Sequence, residues 1–166
     1  IDARQNERLV GLAVKVVIQL RNRSPWRNLI RSPNQLRREG LIPQRTMADS
    51  VGRFILKNDS EFMHAYEELV RDPASTRKRQ RLENRLNQVA IYLKDYWRAL
   101  SRIFRSAFTH PEEYSIQRST GVYVFHRVFS GIYPPDALTS GMTPIGVRDH
   151  CQRHGFSLTV MEDVLR

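Results

Sequence analysis

Between residues 76 and 108, Leu82, Leu86, Val89, Leu93, Trp97, Leu100, Phe104 and Ala107 recur at steps of three and four. That is the period of one helix face. No proline or glycine interrupts the run, so the pattern predicts a single helix of about eight or nine turns. Such a helix is held mainly by what covers its apolar stripe, because propensity alone contributes little. The rest of the chain is therefore expected to pack around it.

Upstream, Leu9, Val10, Leu12, Ala13, Val14, Val16, Val17, Ile18 and Leu20 leave Arg8, Lys15, Gln19 and Asn22 as a narrow polar stripe. This predicts a buried helix over 7–22, with Asp2 or Asn6 as its cap. The many β-branched residues keep a strand open as the alternative. Ser24 and Pro25 end the element. Trp26, Leu29 and Ile30 form a short apolar patch, and 31–40 reads as a basic loop punctuated by Pro33 and Gly40. Thr46 to Asp49 has the capping-box pattern and predicts a helix to about Lys57, with Ala48, Val51, Phe54 and Ile55 inward. Asn58, Asp59 and Ser60 start the next helix, which places Phe62, Tyr66, Leu69 and Val70 on one side before Asp72 and Pro73 close it.

Beyond the long helix, His110 and Pro111 mark its end, and Tyr114 and Ile116 read as short and extended. Ser119 and Thr120 open a helix with Val122, Val124, Phe125, Val128, Phe129 and Ile132 apolar on more than one side; Pro134 and Pro135 stop it. Thr143 and Pro144 resemble a helix start, Gly155 a helix stop, and Thr159 to Glu162 a second capping box. The expected fold is all-α: six or seven helices around one long central helix, forming a single domain over 1–166. A chain of 166 residues suffices for one domain with a real core.

Charge changes this picture. The net charge of +10 is uneven. Residues 1–57 carry 12 basic and 4 acidic side chains, 58–70 carry 4 acids and no base, 71–110 carry 10 basic and 3 acidic, and 111–166 carry 5 and 6. The positive charge thus belongs to the first two-thirds and points to a polyanion. Of the 27 basic residues only Lys15, Lys57, Lys78 and Lys94 are lysine. Arginine's planar fork suits phosphate, although codon bias in a GC-rich genome gives the same excess. Arg77, Lys78, Arg79, Arg81, Arg85, Arg98, Arg102 and Arg105 fall mostly opposite the apolar stripe. They are either a solvated face or a basic ridge that meets phosphates; as candidate nucleic-acid contacts they are the site the sequence offers.

Other chemistry is sparse. The eight glycines are scattered, with no phosphate-binding loop and no G-x-S-x-G elbow. Asp49, Glu83, Asp95 and Glu112 are isolated in sequence. His150 and His154 stand four apart, as zinc ligands on one helix face do. Without an obvious third ligand they read instead as a histidine pair near a helix C-terminus. No metal, cofactor or catalytic residue is expected. Tyr92, Tyr96 and Trp97 interleave with Arg98 and Arg102 and could stack on bases, but their place beside the apolar stripe favours the core. The single cysteine, Cys151, excludes an intrachain disulfide and fits a reducing, cytoplasmic setting. The longest apolar run, 9–20, is broken by Lys15 and Gln19 and is too short to cross a bilayer, so no membrane partner is expected. The start at Ile1, without methionine, leads to the expectation of a larger protein.

Several segments resemble the C-terminal part of the family named for its Asp-Gly-Gln-His-Arg motif, which includes DNA-phosphorothioation regulators and is related to ParB-like domains. They are Ile1-Asp2-Ala3-Arg4-Gln5-Asn6 before a helix, Ser24-Pro25-Trp26 after it, Asp95-Tyr96-Trp97-Arg98-Ala99-Leu100 on the long helix, and Ser119-Thr120-Gly121-Val122-Tyr123 opening a buried helix. The motif itself is absent; in the family it precedes the part seen here, so any nucleotide or nuclease chemistry tied to it does not carry over. The resemblance implies a helical region with a DNA-linked role in bacterial DNA modification or phage defence. The leading expectation is a non-enzymatic helical domain that binds or positions DNA. The alternatives are an interaction or oligomerisation domain serving other protein chains or an upstream domain, and a fragment of an enzyme whose active site lies upstream of Ile1.

Overall fold

The computed structural model describes residues 3–23, 25–34, 40–132 and 149. The expected features at Pro134 and Pro135, at Thr143 and Pro144, at Gly155 and at 159–162 lie outside the described residues. Within them the fold is all-α, with 75% of residues helical. In order the elements are α1 (Ala3–Arg21), β1 (Ile30–Arg31), β2 (Ile42–Pro43), α2 (Gln44–Ser50), a π-helical turn (Val51–Ile55), a 3-10 turn (Leu56–Asn58), α3 (Ser60–Arg71), α4 (Thr76–Ile103), α5 (Arg105–Thr109) and α6 (Ser119–Ile132). No helix among the described residues is long and apolar enough to cross a membrane.

The run at 3–21 is a helix and not a strand. Its Leu9, Ala13, Val16, Val17 and Leu20 are buried, whereas Gly11, Lys15, Ile18 and Gln19 are exposed. The buried stripe is thus narrower than the apolar count suggests. α1 lies beside α4 with Lys15 bonded to Glu83 and Gln19 to Asn87. Both partners advance by four residues, so the two helices run in the same direction. α3 and α4 form the opposite arrangement, a hairpin. Asp59 meets Arg85, Glu68 meets Arg81 and Asp72 meets Lys78.

Two starts are local and one is not. Asp59 caps α3, accepting a hydrogen bond from the Phe62 amide at 2.9 Å, and Ser75 caps α4, as short polar side chains do at helix starts. The capping box expected at Thr46 does not form. α2 starts three residues earlier, directly from β2, with no side-chain cap at Pro43. The reason is the parallel pairing of Ile30 with Ile42 and Arg31 with Pro43, which fixes the backbone before Thr46 is reached. Asp49 instead accepts from the Tyr123 hydroxyl at 2.6 Å and sits 3.5 Å from Arg53.

The expected 76–108 helix divides. α4 stops at Ile103, Phe104 leaves helical geometry (φ −106°, ψ 52°) and α5 follows. No local residue signals this break. Phe104 is buried with its ring 5.8 Å from that of Phe125 on α6, so tertiary packing overrides the helical pattern. Residues 111–118 form turns rather than an extended stretch, with Ile116 buried. Gly121 lies so close to this turn that a Cβ would stand 2.4 Å from the Ser115 carbonyl oxygen; only glycine fits there.

The core centres on Trp97. Trp26 meets it edge to face, ring centroids 4.7 Å apart, and Phe125 and Phe108 close two more sides. Edge-to-face pairs of this kind add to simple area burial. Tyr96 is also fully buried and donates its hydroxyl to the Phe125 carbonyl at 3.0 Å. Tyr96 and Trp97 therefore belong to the core, and Tyr92, half-buried, packs against it.

Candidate nucleic-acid interface

α4 carries seven of the eight cationic residues singled out from the sequence, and the structure sorts them. Arg77, Lys78 and Arg81 come together at the start of the helix. With Glu68, Ser75, Gln80 and Asn84 they line a groove of about 830 Å³. Arg77 is exposed. Lys78 pairs with Asp72 at 3.1 Å and Arg81 with Glu68 at 2.8 Å, both at the surface. Glu68 and Asp72 thus fold back over part of the ridge. Exposed pairs of this kind are worth little, typically under about 1 kcal/mol, so a phosphate can exchange with them.

Two cations are turned elsewhere. Arg85 forms a fork with Asp59, at 2.9 and 3.0 Å, and also reaches Glu61 at 2.8 Å. Its side chain is only 11% exposed and that of Asp59 1%, so this arginine ties α4 to the start of α3. Arg79 donates to the Pro73 carbonyl at 3.1 Å. At the far end, Arg98 sits 3.6 Å from Asp95 and joins Arg23, Lys94, Asn22, Ile18 and Ile91 around a second groove of about 460 Å³. Arg102 is exposed on α4, and Arg105 is exposed on α5, past the break. The centres of the two grooves lie roughly 20 Å apart along the α4 axis at 1.5 Å per residue. Sequence reasoning misses Arg23 and Lys94, which only the α1–α4 contact brings into the second groove. It also misses Gln80 and Asn84; their four-residue step was the available signal.

Other polar groups are held for structure. His126 is fully buried: the Trp97 indole N–H donates to its Nε2 at 3.1 Å, and Nδ1 lies 2.9 Å from Ser50 Oγ. An indole only donates, so Nε2 accepts, and the neutral ring carries its proton on Nδ1 towards the serine. Burial pushes the imidazole down to about 3, which keeps it neutral at physiological pH. Tyr123 is the converse. Burial, together with the adjoining Asp49 carboxylate, raises its hydroxyl to about 12, so at neutral pH it donates and does not act as a base. His110, Glu112 and Glu113 bring possible ligand atoms within 4.8 Å of one another, but all three are exposed. His150 and His154 lie outside the described residues.

Comparisons with models of protein families, with curated proteins and with solved structures return no match to this chain.

Proposed function

We propose that this chain binds duplex DNA through the outer face of α4 and positions it, without performing chemistry on it. The observation that carries this reading is the convergence of Arg77, Lys78 and Arg81 in one groove at the start of α4. The first turn of that helix holds no acid. Cations there oppose the helix dipole, which favours negative charge at an N-terminus. Asp72 and Glu68 offset Lys78 and Arg81 in part; stability gives no account of Arg77, and a bound polyanion does. The resemblance to the Asp-Gly-Gln-His-Arg-motif family supports the setting, a bacterial DNA modification or phage-defence system.

Salt dependence tests the proposal. Each phosphate neutralised contributes about 0.9 log units of affinity per log unit of salt. Arg77, Arg98 and Arg102 are all exposed and lie near one face of α4 by helical spacing. Changing all three to glutamine is expected to flatten the slope by about three contacts and to weaken every duplex alike. Fluorescence anisotropy at several salt concentrations measures this, and equal slopes for wild type and variant would overturn it.

A second reading has its own observation. Arg8, Leu12, Tyr66, Leu69, Val70, Pro73 and Leu82 line an almost wholly apolar groove of about 520 Å³ between α1, α3 and α4. Val70 stands 48% exposed in it. This is a surface a partner protein could cover, as an interaction domain requires. On that reading the three arginines touch only water or protein, and the salt slope does not respond to them.

A further inference from the structure

The groove at the start of α4 holds more than charge. Gln80 and Asn84 line it beside Arg77 and Arg81, one turn apart on the outer face. Gln80 Nε2 donates to Asn84 Oδ1 at 2.9 Å. An amide has one acceptor oxygen and one donor NH₂. Pairing two of them uses one oxygen and one N–H and leaves the other carbonyl oxygen and the other NH₂ for a further partner, whichever way round the pair as a whole is assigned. The pair therefore offers one acceptor and one donor, held by its own hydrogen bond on a helix anchored by buried Leu82 and Leu86. As a contribution to stability such an exposed pair is worth only a few tenths of a kcal/mol, which does not explain its place between two arginines.

The outer face continues along α4. Glu83 turns to Lys15 on α1. Ile91, about two turns beyond Asn84, is 50% exposed. At 1.5 Å per residue it lies about 10 Å further along the axis, about three base-pair steps at 3.4 Å each.

An adenine in the major groove of B-form DNA shows the complement of the amide pair, an N7 acceptor beside an N6 donor, and its thymine partner adds a methyl group. That groove is wide enough for a helix, whereas the major groove of duplex RNA is too deep and narrow for side chains to read. We propose that Gln80 and Asn84 together read the edge of an adenine in duplex DNA, with Arg77 and Arg81 on the flanking phosphates and Ile91 against a thymine methyl about three base pairs away. The inference rests on the DNA-binding reading above and adds to it a direct readout of sequence.

The test is selection of duplexes from a randomised pool by the wild-type chain, followed by anisotropy on the enriched duplex and on a base-shuffled one. The wild type is expected to prefer the enriched duplex by roughly 5- to 150-fold, the range for one well-placed two-bond contact, and the enriched duplex to hold an A·T pair at the discriminating position. A Gln80→Ala, Asn84→Ala double variant is expected to bind the shuffled duplex as the wild type does, with the same salt slope, and to lose the preference. Alanine is the best helix former, so both exposed substitutions leave the helix intact, which circular dichroism checks. A wild type that binds all duplexes alike, a double variant that keeps the preference, or an equal preference on duplex RNA of the same sequence overturns the inference. Duplex binding without preference sinks the readout alone; no binding at low salt sinks the DNA-binding reading with it.

Discussion

The two halves of α4 share a period and differ in almost everything else. In the first half Leu82, Leu86 and Val89 are buried; in the second Ala90, Leu93, Tyr96, Trp97, Ala99 and Leu100 are. The first half is covered by α3 and α1 and leaves a broad polar face of arginines and amides. The second is enclosed by α1, the Trp26 segment and α6, with aromatic rings on several sides. An apolar period of three and four tells which face of a helix turns inward. It does not tell how many walls surround that face, and here the number of walls separates the half that anchors the fold from the half that is mostly surface.

If the second half is the anchor, its loss is the largest effect available. Trp97→Ala removes a fully buried ring, opens a cavity against Trp26, Phe108 and Phe125, and leaves His126 Nε2 without its donor. A cost of about 3–5 kcal/mol is expected, measured by urea unfolding monitored by far-UV circular dichroism. A loss under about 1 kcal/mol would mean that Trp97 is not the centre of the core.

Arg85 is the exception within the first half. Its fork on Asp59 is nearly buried, and removing one partner of such a pair strands the other charge. Asp59 keeps its bond from the Phe62 amide, which holds the effect at the lower end. Arg85→Gln is expected to cost about 3 kcal/mol in the same unfolding assay, and a loss within 0.5 kcal/mol of zero would make Arg85 one more surface cation.

These two residues show where the sequence is legible. The inward positions of α4, the Asp59 start of α3 and the buried helix from Ser119 follow from period and caps, which are local. The partner of Arg85 is 26 residues away, and nothing near Arg85 distinguishes it from Arg81. The break at Phe104 depends on Phe125, and the early start of α2 on a pairing with Ile30. His126 is invisible for the same reason: its environment is built by Trp97 and Ser50, from two other elements. The cationic groove is half legible. The charge is in the sequence, but the α3 acids that cover part of it arrive only with the fold.

The His126 site also gives the second half a pH dependence. The folded ring is held down to about 3 while its ordinary value is 6.5, so the unfolded chain takes up this proton first as pH falls. Above about pH 6.5 the group contributes no pH dependence. Below it, stability is lost by up to about 1.4 kcal/mol per pH unit until the folded ring itself titrates. Urea midpoints at pH 7 and pH 5 for the wild type and for His126→Asn isolate this group, since the asparagine has no proton to gain. An equal fall between the two pH values in both proteins would show that His126 is not the source.

The smallest effect is expected at Arg77, and its sign carries the argument. Arg77 is exposed in the first turn of α4, where the capping Ser75 leaves a helix start that favours negative charge. Arg77→Glu replaces an unfavourable charge with a favourable one and is expected to raise stability by roughly 0.3–1 kcal/mol. The same change places a carboxylate in the groove with Lys78 and Arg81 and is expected to weaken DNA binding for every sequence. A residue whose replacement stabilises the fold and impairs binding is held in place by function, because packing gives no reason to keep it. Thermal melting and anisotropy on one preparation measure both quantities. A variant that melts lower by more than about 1 kcal/mol would instead make Arg77 structural, and the first half of α4 would then be a second anchor in place of a binding face.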